Sequence, residues 1–295
     1  MTSEQIASLQ PALAELVKRF SPCFARHKTL GYLEKYILGL LSDVKRKSIE
    51  PIALAAGVAV RTLQEFLAFF CWDEERAGRQ LIRMVADEHG RREGIGVLDS
   101  SGHHKQGDKT PGVQRQWCGE SGKIDNCVVG QHLLYTDNDP KNPFSCVVAS
   151  DLFVPEAWSK DPERCREAGI PDGVSHRRKW EIGLEQVRQA VREGIRFSFL
   201  TADEDYGKVL QFWYDLDGMG QWAVAEVPKN FLAWPKPPAY RSPRSEYAAK
   251  RVDNLTRHSP VFTSQSWKTM QIKEATRGPC RWQVKAAPVH LPDTR

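Results

Sequence analysis

The 295-residue sequence contains no C-x-x-C pair, and its seven cysteines are odd in number. A chain of this length with such cysteine usage is not a disulfide scaffold. It reads as a cytoplasmic protein whose thiols are reduced and mostly buried. No apolar run approaches the roughly 20 residues needed to span a membrane. The N-terminal stretch MTSEQIASLQPALAELVKRF lacks the charged-then-apolar layout of a signal peptide. Together these absences predict a cytoplasmic protein with no membrane partner. Ser100 and Ser101 stand in no G-x-S-x-G frame, which argues against a serine hydrolase. There is no internal repeat and no long low-complexity segment.

The charge that is present is unevenly placed. Residues 1–90 carry 12 Lys/Arg against 11 Asp/Glu, residues 91–228 carry 17 against 22, and residues 229–295 carry 13 against 4. A basic segment beside an acidic one suits a metal site next to a polyanion-binding surface, and equally a solvated basic tail.

Three regions follow from the pattern. Residues 1–90 read as all-helical. EQIASLQPALAELVKRF has apolar residues at helical spacing, with Pro11 tolerable only near a first turn or at a kink. RKSIEPIALAAGVAVRTLQEFLAFF fits a helix-turn-helix hairpin through Gly57, with Arg61, Thr62 and Gln64 exposed toward any bound DNA. Helix hairpins are also common packing units.

Residues 91–228 turn to short strands, and the element order predicted is β-β-β-α-β-α-β, a mixed α/β core. Its main helix is expected over about Trp180 to Glu193, with Leu184, Val187 and Val191 on one face. Residues 229–295 are rich in Pro, Arg and Ser before WKTMQIKEA and CRWQVKAAPVHL, which alternate like antiparallel strands.

The chemistry centres on acids. VLDSSGHHKQGDKT, at 97–110, runs from apolar residues into Asp99, and IRFSFLTADEDYG ends on acids at Asp203. Each aspartate has two readings: it starts a turn through local hydrogen bonds, or it is a metal-binding carboxylate at the end of a rigid strand. Neighbouring strands would bring the two carboxylates within a few ångströms, as a hard ion such as Mg2+ requires.

The stretch VLDSSGHHKQGDKTPGVQRQWCGESGKIDNCVVG closely resembles the DDE transposases of bacterial insertion sequences. The likeness continues through LFVPEAWSKDPERCREAGIPD, FLTADEDYG and AVAEVPKN, and SIEPIALAAG…FLAFFCWDEE resembles that family's N-terminal region. It spans most of residues 45–285, and its motifs are specific in combination. The resemblance implies an RNase-H-like core, preceded by a helical DNA-binding region and followed by part of a β-rich insertion. It implies that Asp99 and Asp203 are the first two catalytic acids and hold Mg2+, with Mn2+ able to substitute. It further implies DNA as partner, both element ends and target, and a homodimer when active.

Two departures stand out. The first aspartate is followed by Ser100-Ser101-Gly102, and Asp205 competes with Asp203 as a ligand, Asp203 being favoured because it matches the motif directly and lies nearer the strand. More seriously, the family's third acid is a glutamate on a later helix. Glu226, Glu246 and Glu274 do not stand in such a context, so a C-terminally truncated transposase with impaired activity is expected. A non-catalytic DNA-binding remnant that occupies element ends or inhibits the full-length enzyme is the alternative. A stand-alone nuclease using Asp205 or Glu226 is a third.

Lesser candidates complete the reading. His103 and His104 read as a loop pair. Lys105, Lys109, Lys229 and Asn230 are candidate phosphate contacts. Trp117, Trp158, Trp222 and Trp267 offer stacking surfaces for bases but read mostly as core or domain-contact aromatics.

Overall fold

The computed structural model describes residues 3–91, 93–237, 248–276 and 278–291. Backbone contacts group Met1–Gly90 with Gln189–Ile195, and Arg91–Arg188 with Arg196–Arg295. Among the described residues no helix is long and apolar enough to cross a membrane.

The first unit is built from α1 (Ser3–Lys18), α2 (His27–Leu41), α3 (Ile49–Ala55), α4 (Val60–Ala68) and α5 (Glu74–His89). The turn through Gly57 folds α4 back on α3, burying Ile52, Ala53, Leu63 and Phe66 together. Helix α5 starts on Asp73, whose carboxylate accepts the Arg76 N–H at 2.8 Å, and stops at Gly90. Such a cap satisfies an amide the helix itself leaves unpaired. Helix α1 carries Pro11 in its interior, beyond the first turn. The missing backbone bond is tolerated because Leu13 and Val17, on either side of the next turn, are buried against Leu30.

The second unit opens with β1 (Ile95–His104), β2 (Gln114–Cys118), β3 (Lys123–Thr136) and β4 (Ser145–Leu152). After the short helices α6 (Glu156–Ser159) and α7 (Pro162–Glu167) come α8 (Lys179–Arg192), β5 (Phe199–Ala202), α9 (Glu204–Gly207), α10 (Leu210–Gly218) and β6 (Ala223–Ala225). The six strands form one mixed sheet in the order β2-β3-β1-β5-β6, with β4 also on β3. Strand β3 is its spine. Cys127–Thr136 pairs antiparallel with all of β1, while the other edge takes β2 and then β4. Strands β5 and β6 run parallel to β1 and to each other. This is the RNase-H-like arrangement that the resemblance implies.

Period-two burial in β3 puts Cys127, Val129, Gln131, Leu133 and Tyr135 on the covered face. Helix α8 contributes Ile182, Leu184 and Val187 to the buried set. Its Gly183 allows close approach: a Cβ there would lie 2.8 Å from the Tyr206 ring and 3.3 Å from Leu98.

The remainder comprises β7 (Leu232–Ala233), β8 (Lys250–Arg251), α11 (Val252–His258), α12 (Pro260–Thr263), β9 (Lys268–Ala275) and β10 (Gly278–Val284). The last two strands are those the alternation predicts. Glu246 lies outside the described residues. All seven cysteines are free, but only Cys23, Cys118 and Cys127 are buried, fewer than composition suggests.

Replacing Gly183 by Val forces atoms against the Tyr206 ring, and overpacking of this kind costs about 1–3 kcal/mol. Urea unfolding of the variant is expected to show that loss in midpoint with an unchanged slope.

Candidate catalytic and metal-binding site

The parallel ladder pairs Leu98 with Ala202, and Ala202 with Ala225. One residue further along the three neighbouring strands stand Asp99, Asp203 and Glu226. Parallel neighbours lie about 4.8 Å apart, and in-register residues face the same side. Leu98 is buried on the covered face, so Asp99 projects from the other.

Strand β5 ends at Ala202, and Asp203 becomes the N-cap of α9, its carboxylate accepting the Asp205 N–H at 2.9 Å. Burial pushes the Asp203 carboxyl above the usual carboxylate range, and the negative charges of Asp205 and Asp99 push the same way. The N–H groups of Asp205 and Tyr206 partly offset them. Asp205 is held differently. Lys208 lies 2.5 Å from one of its oxygens and Lys179 3.6 Å from the other. The Lys208 hydrogen bond leads in drawing its pKa down. Asp205 is thus committed to two ammonium groups, while Asp203 stands in line with Asp99.

Two buried contacts fix α9. The Tyr206 hydroxyl donates to Gln131 Oε1 at 2.8 Å. The Gln131 carbonyl accepts from Gln186 Nε2 at 2.9 Å, and the same nitrogen donates to Asp151 at 2.8 Å. At Gly207 a Cβ would lie 1.9 Å from the Glu226 carbonyl oxygen, so only glycine lets α9 pass the end of β6.

Strand β1 does not end at Asp99, as its sequence suggests, but continues to His104 because β3 supplies hydrogen-bond partners along its whole length. His103 and His104 therefore lie in a strand rather than a loop and alternate to opposite faces. Past Leu98, β1 has no β5 partner. There the Ser100 N–H is taken by Asp99 Oδ1 at 2.7 Å and the His104 N–H by Glu120 at 3.2 Å.

Sequence reasoning missed His132. It is the register partner of Asp99 on β3, and it sits between Ser101 Oγ at 2.7 Å and Ser150 Oγ at 2.8 Å. Burial lowers its pKa, His103 adds to the effect and Asp99 opposes it. A neutral imidazole has one donor and one acceptor nitrogen, so one serine donates to it and the other accepts. The available signal was the alternation in GQHLLY, which sets His132 opposite the buried Gln131 and Leu133.

The other candidates scatter. Arg61 is exposed on α4 and pairs with Glu65 at 2.9 Å, and Gln64 is exposed while Thr62 is half-buried. Lys105 is half-buried, with its N–H on the Asn126 carbonyl. Lys109 lines a cavity of about 630 Å³ with Asp108, Trp158, Asp161 and Arg164. Lys229 and Asn230 are exposed after β6. Of the four tryptophans only Trp158 is core, donating to the Val113 carbonyl at 2.8 Å under the Arg164 guanidinium. Trp117, Trp222 and Trp267 are exposed, which leaves of their reading only the domain-contact alternative.

Because its folded pKa is raised, ionised Asp203 costs stability at neutral pH. That contribution is favourable only below the unfolded pKa of about 3.9 and is lost as pH rises through the folded value. Asp203→Asn keeps a capping side chain, so it is expected to raise the thermal midpoint at pH 7 without divalent ions. The gain should vanish near pH 3, as followed by circular dichroism. Tyr206→Phe leaves Gln131 Oε1 without its donor and is expected to cost about 1–3 kcal/mol in denaturant unfolding.

Comparisons with known proteins agree with this geometry. Over 267 residues the chain is 27% identical to the probable transposase for insertion sequence element IS701 of Microchaete diplosiphon, an alignment covering 88% of this chain. The chain spans 64% of that protein's length. Residues 19–279 match the family described as DDE superfamily endonuclease, whose members generally use divalent metal ions. A match that runs across most of the sequence settles the affiliation: the chain belongs to the DDE superfamily of endonucleases.

Proposed function

We propose that this protein is a transposase that cleaves and joins DNA strands at the ends of an insertion sequence. In this reading Asp99 and Asp203 hold Mg2+, for which Mn2+ substitutes, and two copies act together in the cytoplasm. The observation that carries it is the backbone register, which sets the two carboxylates one step past paired residues on adjacent parallel strands.

The donor set fits the ion. Mg2+ takes oxygen ligands, and it is commonly bound through one or two carboxylates while water and substrate phosphate fill its other positions. Asp203 is oriented by the Asp205 N–H, and burial first, with the charges of Asp205 and Asp99 after it, raises its pKa, a cost that a bound cation would relieve. When bound, the ion would activate water and stabilise charge developing at phosphorus.

Arg61, Lys105, Lys109, Lys229 and Asn230 are the proposed DNA contacts. All but Lys105 are exposed. Among the described residues no three His, Cys, Asp or Glu side chains converge as a metal cage. Glu226 stands one strand beyond Asp203, and Asp205 is held by lysines. Two protein ligands hold a second ion poorly, so we infer weak cleavage by the isolated chain. The same observation favours a second reading, a DNA-binding protein that occupies element ends without cutting them.

Cleavage of a duplex carrying the element end separates the two. Weak Mg2+-dependent nicking is expected, falling about 100-fold or more in Asp99→Asn and Asp203→Asn with duplex affinity retained. Metal stabilisation is worth several kcal/mol, and each 1.36 kcal/mol is tenfold in rate. Tight duplex binding with no nicking in Mg2+ or Mn2+ would establish the second reading instead.

A further inference from the structure

Strands β9 and β10 form a two-stranded antiparallel sheet of their own. Lys268 to Lys273 are all exposed, as are Arg281, Trp282 and Gln283. The pairs Thr269↔Gln283 and Gln271↔Arg281 share one face, and Lys268↔Val284 and Met270↔Trp282 share the other. Gln283 Nε2 donates to Thr269 Oγ1 at 2.8 Å across the first face. That face therefore consists of hydrogen-bonding side chains with no apolar anchor. The register slips between Cys280 and Arg281, leaving Ile272 without a partner, and such a bulge increases the ribbon's twist.

Composition identifies what the hairpin as a whole fits. Residues 268–285 hold five basic side chains and one acidic, which favours a polyanion. The major groove of B-form DNA admits a two-stranded β-ribbon. Arginine pairs bidentately with guanine, glutamine with adenine, and threonine with either base. The major groove of an RNA duplex is too deep and narrow for such entry. A protein partner would call for an apolar anchor, which this face lacks.

We propose that the face formed by Thr269, Gln271, Arg281 and Gln283 lies in the DNA major groove and reads base edges there. The inference rests on the reading that this chain acts on DNA, and it adds a reading element distant in sequence from the carboxylates.

The test uses the full chain and a pool of duplexes with a randomised centre. The sequences retained by the wild type are compared with those retained by Arg281→Ala and Gln283→Ala. Each variant is expected to lose preference at one or two adjacent base pairs. Discrimination against a scrambled duplex should fall about 5- to 150-fold, while affinity for the scrambled duplex is kept. Circular dichroism of the variants should match the wild type. Unchanged sequence preference in both variants would overturn the ribbon's role and leave DNA action standing. A wild type that binds no duplex would overturn both. Preference for RNA of the same sequence over the duplex would overturn the groove assignment.

Discussion

The parallel ladder between Ile95–Leu98 and Phe199–Ala202 holds two strands side by side and ends at the pair Leu98↔Ala202. Because the next residue on each is an aspartate, the backbone brings two negative charges together whether or not they favour it. The stress is visible in Asp203, whose carboxyl is pushed up by burial and by its acidic neighbours. Backbone hydrogen bonds and buried apolar surface supply the stability that holds this repulsion in place. Sites that bind charged groups commonly carry such an electrostatic cost.

The two sides of the sheet divide the work. On the covered side, Leu98, Tyr206 and α8 pack closely, and the chain of bonds from Tyr206 through Gln131 and Gln186 to Asp151 continues to Arg177 at 3.2 Å. On the other side Ser101 hydrogen-bonds to both His103 and His132, and Asp99 is the register partner of His132. Among the described residues this network leaves Gln131 Nε2 and Gln186 Oε1 buried without hydrogen-bond partners, yet its Tyr206 bond holds α9 in place behind the carboxylates.

Much of this was legible in the sequence for a local reason. Apolar runs that end on Asp99 and Asp203, the helical spacing of Leu184, Val187 and Val191, and the alternation around Met270 and Trp282 are all short-range patterns. What escaped was long-range. Ser-Ser-Gly-His-His is a poor strand former by itself and extends only because β3 lies beside it. His132 is given its surroundings by Ser101 and Ser150, 31 and 18 residues away. The two lysines that hold Asp205, one of them on α8, are likewise brought there by the fold. At Pro11 the burial of Leu13 and Val17 against Leu30 offsets the lost helix bond.

The part of β1 that outruns β5 has a further consequence. A strand with one open edge is a template on which another chain can add, the usual start of edge-to-edge aggregation. Here the overhang reads Asp-Ser-Ser-Gly-His-His, with no β-branched or apolar residue. Two of its amides are occupied by the carboxylates of Asp99 and Glu120. The residues that leave this end of the sheet open to a ligand thus also keep it from recruiting a foreign strand.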